Sequence, residues 1–138
     1  MELKQEAFHL LRQLFQQHTA RWQQALPELT KPQYAVLRSI AEHPGIEQVA
    51  LTEAAVSTKA TLAEMLSRME LRGLVKREAD AADKRRRFLF LTPEGEALLG
   101  NCKPVGNHVD EAFLGRLTAE ERRQFTELVR KMMVKERE

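Results

Sequence analysis

The sequence predicts a mainly α chain with a small β wing, an α+β fold in which one short hairpin projects from a helical body. Three observations carry that expectation. Hydroxyl residues followed three positions later by an amide or an acid, Thr30 with Gln33 and Thr118 with Glu121, mark helix starts. Residues 74–79 (LVKREA) and 87–91 (RFLFL) read as two short strands joined by a polar, basic loop. Gly73, directly after a helical pattern, supplies the left-handed residue that ends a helix and turns the chain into the first strand.

Residues 3–25 form the first helix, with Leu3, Ala7, Leu10, Leu11, Leu14, His18 and Trp22 near one side and Phe8 and Phe15 widening the apolar surface beyond one stripe. A helix so apolar asks for two partners, its own domain and a second chain. The second helix opens at Thr30, with Leu29 and Tyr34 spaced for a hydrophobic staple, turns Tyr34, Val36, Leu37, Ile40 and Ala41 inward, and stops at His43-Pro44-Gly45. Glu47 to Ala55 makes a short third helix. A turn at Val56-Ser57 leads into the fourth, residues 57–72, capped by Ser57 or Thr58 and buried through Leu62, Met65, Leu66 and Met69. These two form a helix-turn-helix. In the second strand Leu89 and Leu91 share one face, while Phe88 and Phe90 lie on the other and need cover. Thr92-Pro93-Glu94 starts the fifth helix, which Pro104 is expected to kink or break near residues 102–106. The last helix follows the Thr118 box through Phe125, Leu128, Val129, Met132 and Met133 to the end of the chain.

Charge is unevenly placed. Net charge is only +2, yet Val56 to Leu91 holds nine Lys or Arg against five acids, net +4, which leaves −2 for the remainder. A local positive patch is what a reader of nucleic acid requires. The exposed face of the fourth helix offers Ser57, Thr58, Lys59, Thr61 and Arg68, small polar and basic groups suited to base edges and phosphates in a major groove. The hairpin loop carries Lys84, Arg85, Arg86 and Arg87 in succession, and such a run repels itself unless something anionic covers it. Arginine suits a narrow minor groove, where the potential is most negative, and Asp83, two residues before Arg85, can orient its guanidinium. Either set of charges, taken alone, is equally a solvated surface.

The pattern Gly73-Leu74-Val75, Arg77, Asp83-Lys84-Arg85, Leu89, Leu91-Thr92 and Gly95 resembles the winged helix-turn-helix of the MarR family of bacterial transcriptional regulators. The resemblance spans the chain, and the acid-x-arginine motif of the wing, Asp83 and Arg85, is its most specific part. It implies a homodimer that binds double-stranded, pseudo-palindromic operator DNA, usually as a repressor and often released by a small phenolic or aromatic carboxylate ligand. Residues 1–138 then form a single domain, with a DNA-binding part at 29–92 and dimerisation helices at 1–26 and 93–138. The recognition helix, 57–72, would enter the major groove and the wing, 79–87, the minor groove. Proline, common in the family's wing loop, is replaced here by Ala81 and Ala82, which predicts a less rigid tip.

Other chemistry finds little support. No nucleophile-and-base arrangement, phosphate-cradling glycine loop or His-Glu-x-x-His pair is present, so an enzyme and a cofactor are not expected. Cys102 and His108, with Asp110 and Glu111 near, match no tetrahedral signature, and no metal site is expected. One cysteine excludes an internal disulfide, and no secretion signal or membrane span is visible, so a cytoplasmic protein without membrane attachment is expected. Cys102 lies in an apolar stripe and reads as an inert thiol. His18, Trp22 and Arg38 read either as packed core residues or as a pocket for a small aromatic carboxylate, such as the resemblance implies. The competing function is a winged-helix module that binds another protein and not DNA.

Overall fold

A computed structural model describes residues 1–134. Its elements run α1 (Ala7–Ala25), α2 (Lys31–Glu42), β1 (Ile46–Glu47), α3 (Gln48–Ala54), α4 (Lys59–Leu71), β2 (Val75–Ala79), β3 (Arg87–Leu91), α5 (Pro93–Leu114) and α6 (Ala119–Met132). The expected first helix of residues 3–25 is divided: Leu3–Gln5 is a separate 3-10 turn, and Glu6 is extended before α1 begins.

Both capping boxes form. Thr30 Oγ1 accepts from Gln33 N–H at 3.2 Å while Gln33 Oε1 accepts from Thr30 N–H at 3.0 Å, and Thr118 and Glu121 repeat the exchange at 3.1 and 2.8 Å. Each exchange satisfies two donors that a helix start otherwise leaves orphaned. Leu29, ahead of the first box, is fully buried. Ala41, expected inward, is exposed, because α2 buries the narrower stripe of Val36, Leu37 and Ile40.

The hairpin is part of a three-stranded antiparallel sheet of order β1-β3-β2. In place of a helix from Glu47 to Ala55, Ile46 and Glu47 pair with Leu89 and Phe88, and α3 occupies only Gln48–Ala54. A two-residue strand is too short to show alternation, which is why sequence reading absorbs it into the helix. Leu74, expected in the first strand, precedes β2, and its carbonyl accepts from the N–H of Thr92, the cap of α5, at 3.0 Å. Leu89 is fully buried, whereas Phe88 and Phe90 are half-buried on the opposite face. Their cover is local: the Arg86 guanidinium lies 5.2 Å from the Phe88 ring centroid, and the Phe90 ring lies against Gly45.

α5 neither stops nor breaks at Pro104 but runs 22 residues through it. The lost backbone bond is outweighed by burial on both sides, because Leu99, Cys102, Gly106 and Val109 all pack inward. Gly106 faces the Trp22 ring so closely that a Cβ there would sit 2.9 Å from it. The core joins α1 through Trp22, α2, α3, α4, the sheet and α5. α6 contributes no buried residue, and its helix ends at Met132; residues 135–138, into which the last helix was expected to run, lie outside the described residues. Among the described residues no helix is long and apolar enough to cross a membrane.

Candidate nucleic-acid interface and ligand cavity

α3, α4 and the wing meet around an open cleft of about 510 Å³ lined by Glu47, Gln48, Val49, Thr52, Lys59, Arg77, Arg85 and Arg87. Four cations, Lys59 of α4 and Arg77, Arg85 and Arg87 of the wing hairpin, therefore face one space. The turn that brings α3 to α4 is tight: Ser57 N–H donates to Thr52 O at 2.9 Å, and Val56 takes a φ of 54°. α4 is shorter than the expected 57–72, because Thr58 is its cap, accepting from Thr61 N–H at 3.2 Å, and Ser57 lies in the turn outside it. Leu62, Leu66 and Met69 are buried, which leaves Thr58, Lys59, Thr61 and Arg68 exposed on the other side.

The wing loop is held by its own acids. Asp83 Oδ1 accepts from both the backbone N–H and Nε of Arg85, at 3.0 and 3.1 Å, and Asp83 Oδ2 accepts from Nη2 at 3.3 Å. The bonds from Arg85 hold the Asp83 carboxyl below the usual carboxylate range. Arg85 nonetheless keeps its side chain 91% exposed, so it is oriented without being withdrawn from solvent. Asp80 closes the other end of the loop by accepting from Ala82 N–H at 2.9 Å, a side-chain bond across the Ala81-Ala82 step where the family commonly has proline.

Arg86 differs from its neighbours. Its Nε donates to Glu47 at 2.9 Å and its Nη1 to Asp80 at 3.4 Å, while the guanidinium covers Phe88. The first of these bonds joins the wing to β1. On α4, Arg68 pairs with Glu64 at 2.6 Å, both groups remaining well exposed. Among the described residues Lys59, Lys84 and Arg87 make no ion pair, which leaves their charge available to an anion. Arg77, absent from the candidate contacts read from the sequence, is half-buried and bonds Glu70, Ser67 and Gln48. Its alternation with buried Val75 was the available signal, since it puts a charge on the strand's inner face.

A second, apolar cavity of about 390 Å³ lies between α1, α5 and α6, with Phe15, His18, Asp110, Phe113, Phe125 and Val129 on its walls. His18 Nε2 is 2.6 Å from Asp110 Oδ1, and Lys31 Nζ donates to His18 Nδ1 at 3.1 Å, which assigns the Nε2–H tautomer to the imidazole. Burial lowers the Lys31 ammonium from its ordinary range, partly offset by Asp110. Of the three pocket residues read from the sequence, only His18 lines this cavity. Trp22 is 3% exposed, stacks edge-on to Tyr34, and donates its indole N–H to Leu29 O at 2.8 Å. Arg38 lies over Tyr34 and pairs with Glu42 at 3.7 Å, so the cation beside His18 is Lys31 instead. Nothing in local periodicity marks Lys31, because its approach depends on the packing of α2 against α1.

Cys102 is buried, 3.8 Å from Glu28 Oε1, while His108 is exposed. Burial, with the Glu28 carboxylate beside it, pushes the Cys102 thiol above its usual range and disfavours the thiolate.

Comparison with known proteins agrees with this geometry. The MarR family model matches residues 29–86, from the start of α2 through the wing loop. The transcriptional regulator HosA of Escherichia coli O157:H7 is 73% identical over 133 residues, covering 96% of this chain and 98% of HosA. The HTH-type transcriptional repressor NicR of Pseudomonas putida is 34% identical, covering 96% of this chain and 85% of NicR. Among solved structures, Bordetella bronchiseptica BpsR, whose DNA binding is regulated by 6-hydroxynicotinic acid, superposes with a TM-score of 0.91 at 30% identity, covering 99% of both chains. With its winged helical fold and the extent of these matches, the chain belongs to the MarR family and is a transcriptional regulator, not an enzyme.

Proposed function

We propose that the protein is a homodimeric repressor that places α4 in the major groove and the wing tip in the flanking minor groove of a pseudo-palindromic operator. The observation that carries this reading is the cleft in which Lys59, Arg85 and Arg87 converge, with Arg85 exposed yet oriented by Asp83. Thr58, Lys59, Thr61 and Arg68 are the candidate contacts of α4, with Ser57 in the preceding turn. Lys84 and Arg87 are candidate phosphate contacts. Arg86, engaged by Glu47 and Asp80, serves better as a tether of the wing than as a direct contact. The similarity to NicR, a repressor, supports the direction of regulation.

The cavity beside His18 and Lys31 suits a small aromatic acid. Apolar walls would take the ring, and Lys31 and His18 would meet its carboxylate, with Asp110 giving up its bond to His18. The likeness to BpsR, regulated by 6-hydroxynicotinic acid, supports that ligand class. Such a ligand releases DNA only in so far as it binds the spacing of the two reading heads that DNA does not.

The test is selection of binding sites from random duplexes, followed by fluorescence anisotropy at two salt concentrations with and without a panel of hydroxylated aromatic acids. A two-fold symmetric selected site, a steep fall of affinity with salt and loss of binding on adding one acid are expected. An absence of any selected site would favour the protein-interaction reading instead.

A further inference from the structure

Arg77 occupies a position where the strand pattern asks for an apolar residue. It lies directly across from the fully buried Leu89, on the same face of β2 as buried Val75. β2 is an edge strand, and the residues flanking Arg77, Lys76 and Glu78, pair with each other on the outer face. The inward guanidinium is satisfied by three groups from two other elements. Nε donates to Glu70 Oε1 at 2.9 Å and Nη2 bonds the same oxygen, Nη2 reaches Ser67 Oγ at 3.4 Å, and Nη1 donates to Gln48 Oε1 at 3.3 Å.

Those partners matter by their place. Ser67 and Glu70 lie on the last turns of α4, Gln48 is the first residue of α3, and Arg77 sits midway along the strand that leads to the wing. The chain connects the three elements only through the strained turn at Val56 and the stop at Gly73. A planar guanidinium with donors in a rigid fork can join all three at once, which a lysine ammonium cannot do with the same geometry. We propose that Arg77 is a positioning residue for DNA recognition: it sets the separation and angle between α4 and the wing, so that both reach their grooves on one operator half-site. This rests on the DNA-reading function proposed above.

The reading separates from two others. Were Arg77 a phosphate contact, its loss would weaken all duplexes alike and lower the salt slope by about one per site. Were it only a charge that keeps an edge strand from pairing, its loss would leave DNA binding unchanged. A positioning role instead lowers affinity for the selected operator, spares affinity for random duplex and leaves the salt slope in place.

The experiment measures operator and random-duplex affinity by anisotropy across a salt series, well below the melting temperature, for the wild type, Arg77→Lys, Glu70→Gln and the double variant. Glu70→Gln keeps α4 and removes only the charge that Arg77 grips, so it reports even if the arginine variants fold poorly. Each single variant is expected to lose roughly tenfold of the operator-to-random ratio, and the double variant little more, because the two residues act as one unit. An unchanged ratio in Glu70→Gln and Arg77→Lys, or a fall in the salt slope with equal weakening of both duplexes, overturns the proposal. A wild type without operator preference overturns the DNA-reading function itself.

Discussion

Val56 carries the least comfortable backbone of the described chain. It is the only non-glycine residue among them with positive φ, 54°, and it is β-branched and 92% exposed. A side chain branched at Cβ collides with its own backbone in the left-handed region, at a cost of about 1–2 kcal/mol, and here no burial offsets it. Asn tolerates that region far better. Val56→Asn is therefore expected to stabilise the protein by about 1 kcal/mol, visible as a raised midpoint in urea with an unchanged slope. Gly95 is the opposite case: a Cβ there would lie 2.1 Å from the carbonyl oxygen of Leu74, which already accepts from Thr92 N–H. That oxygen belongs to the backbone at the root of β2 and cannot swing aside. Gly95→Ala is expected to cost about 3 kcal/mol and to loosen the joint between sheet and α5. A melting temperature within a degree of wild type would refute this.

At the level of elements the wing divides its four consecutive cations between tasks. Arg85→Ala is expected to weaken operator binding roughly tenfold to a hundredfold per half-site while leaving the melting temperature unchanged, since the side chain is almost wholly exposed. Lys84→Ala, which removes an unpaired charge, should weaken selected and random duplexes alike and lower the salt slope by about one. Arg86→Ala frees the wing from Glu47, so faster amide exchange in residues 80–87 should accompany any loss of affinity. The Asp83 carboxyl is held below its ordinary pKa of 3.8, so its pairing with Arg85 is complete above that pH and fades only as pH falls through the lowered value. The orientation of Arg85 thus persists across the neutral range. These elements differ in how far local sequence announces them. The capping boxes, the Gly73 stop and the Asp83–Arg85 pair act within a few residues and are legible directly. β1 is missed because two residues carry no period, and the break at Pro104 fails because packing against Trp22 outweighs a local rule. Arg86 looks like surface charge until the fold brings Glu47 beside it, and Arg77, whose parity with Val75 marks it as inward, finds its partner Glu70 only in the fold.

For the whole molecule the decisive feature is apolar surface without cover. α6 buries none of its residues, yet Phe125, Leu128, Val129 and Met132 lie along it with Met133 at its end, and α1 adds exposed Phe8 and Phe15. A face this apolar marks an interface, and an antiparallel or crossed pairing with a second copy would cover α1 and α6 together. The apolar cavity opens on the same face, since Phe15, Phe125 and Val129 line it, so a partner would also change the walls around His18. In such a dimer, assembly and the proposed DNA reading would be linked energetically. Two reading heads in one rigid body bind two half-sites at the entropic cost of one association, whereas a monomer binds each half-site separately. Phe125→Asp combined with Val129→Asp places two charges on the exposed stripe without touching the core, so the monomer should stay folded with an unchanged circular-dichroism spectrum. It should sediment at the chain mass of 15.9 kDa, where the wild type is expected to sediment at twice that, and its affinity for the full operator should fall by about a hundredfold or more, to that of an isolated half-site. If the variant is monomeric and keeps full operator affinity, two-headed recognition is wrong; if the wild type itself sediments as a monomer at micromolar concentration, the exposed face serves another partner.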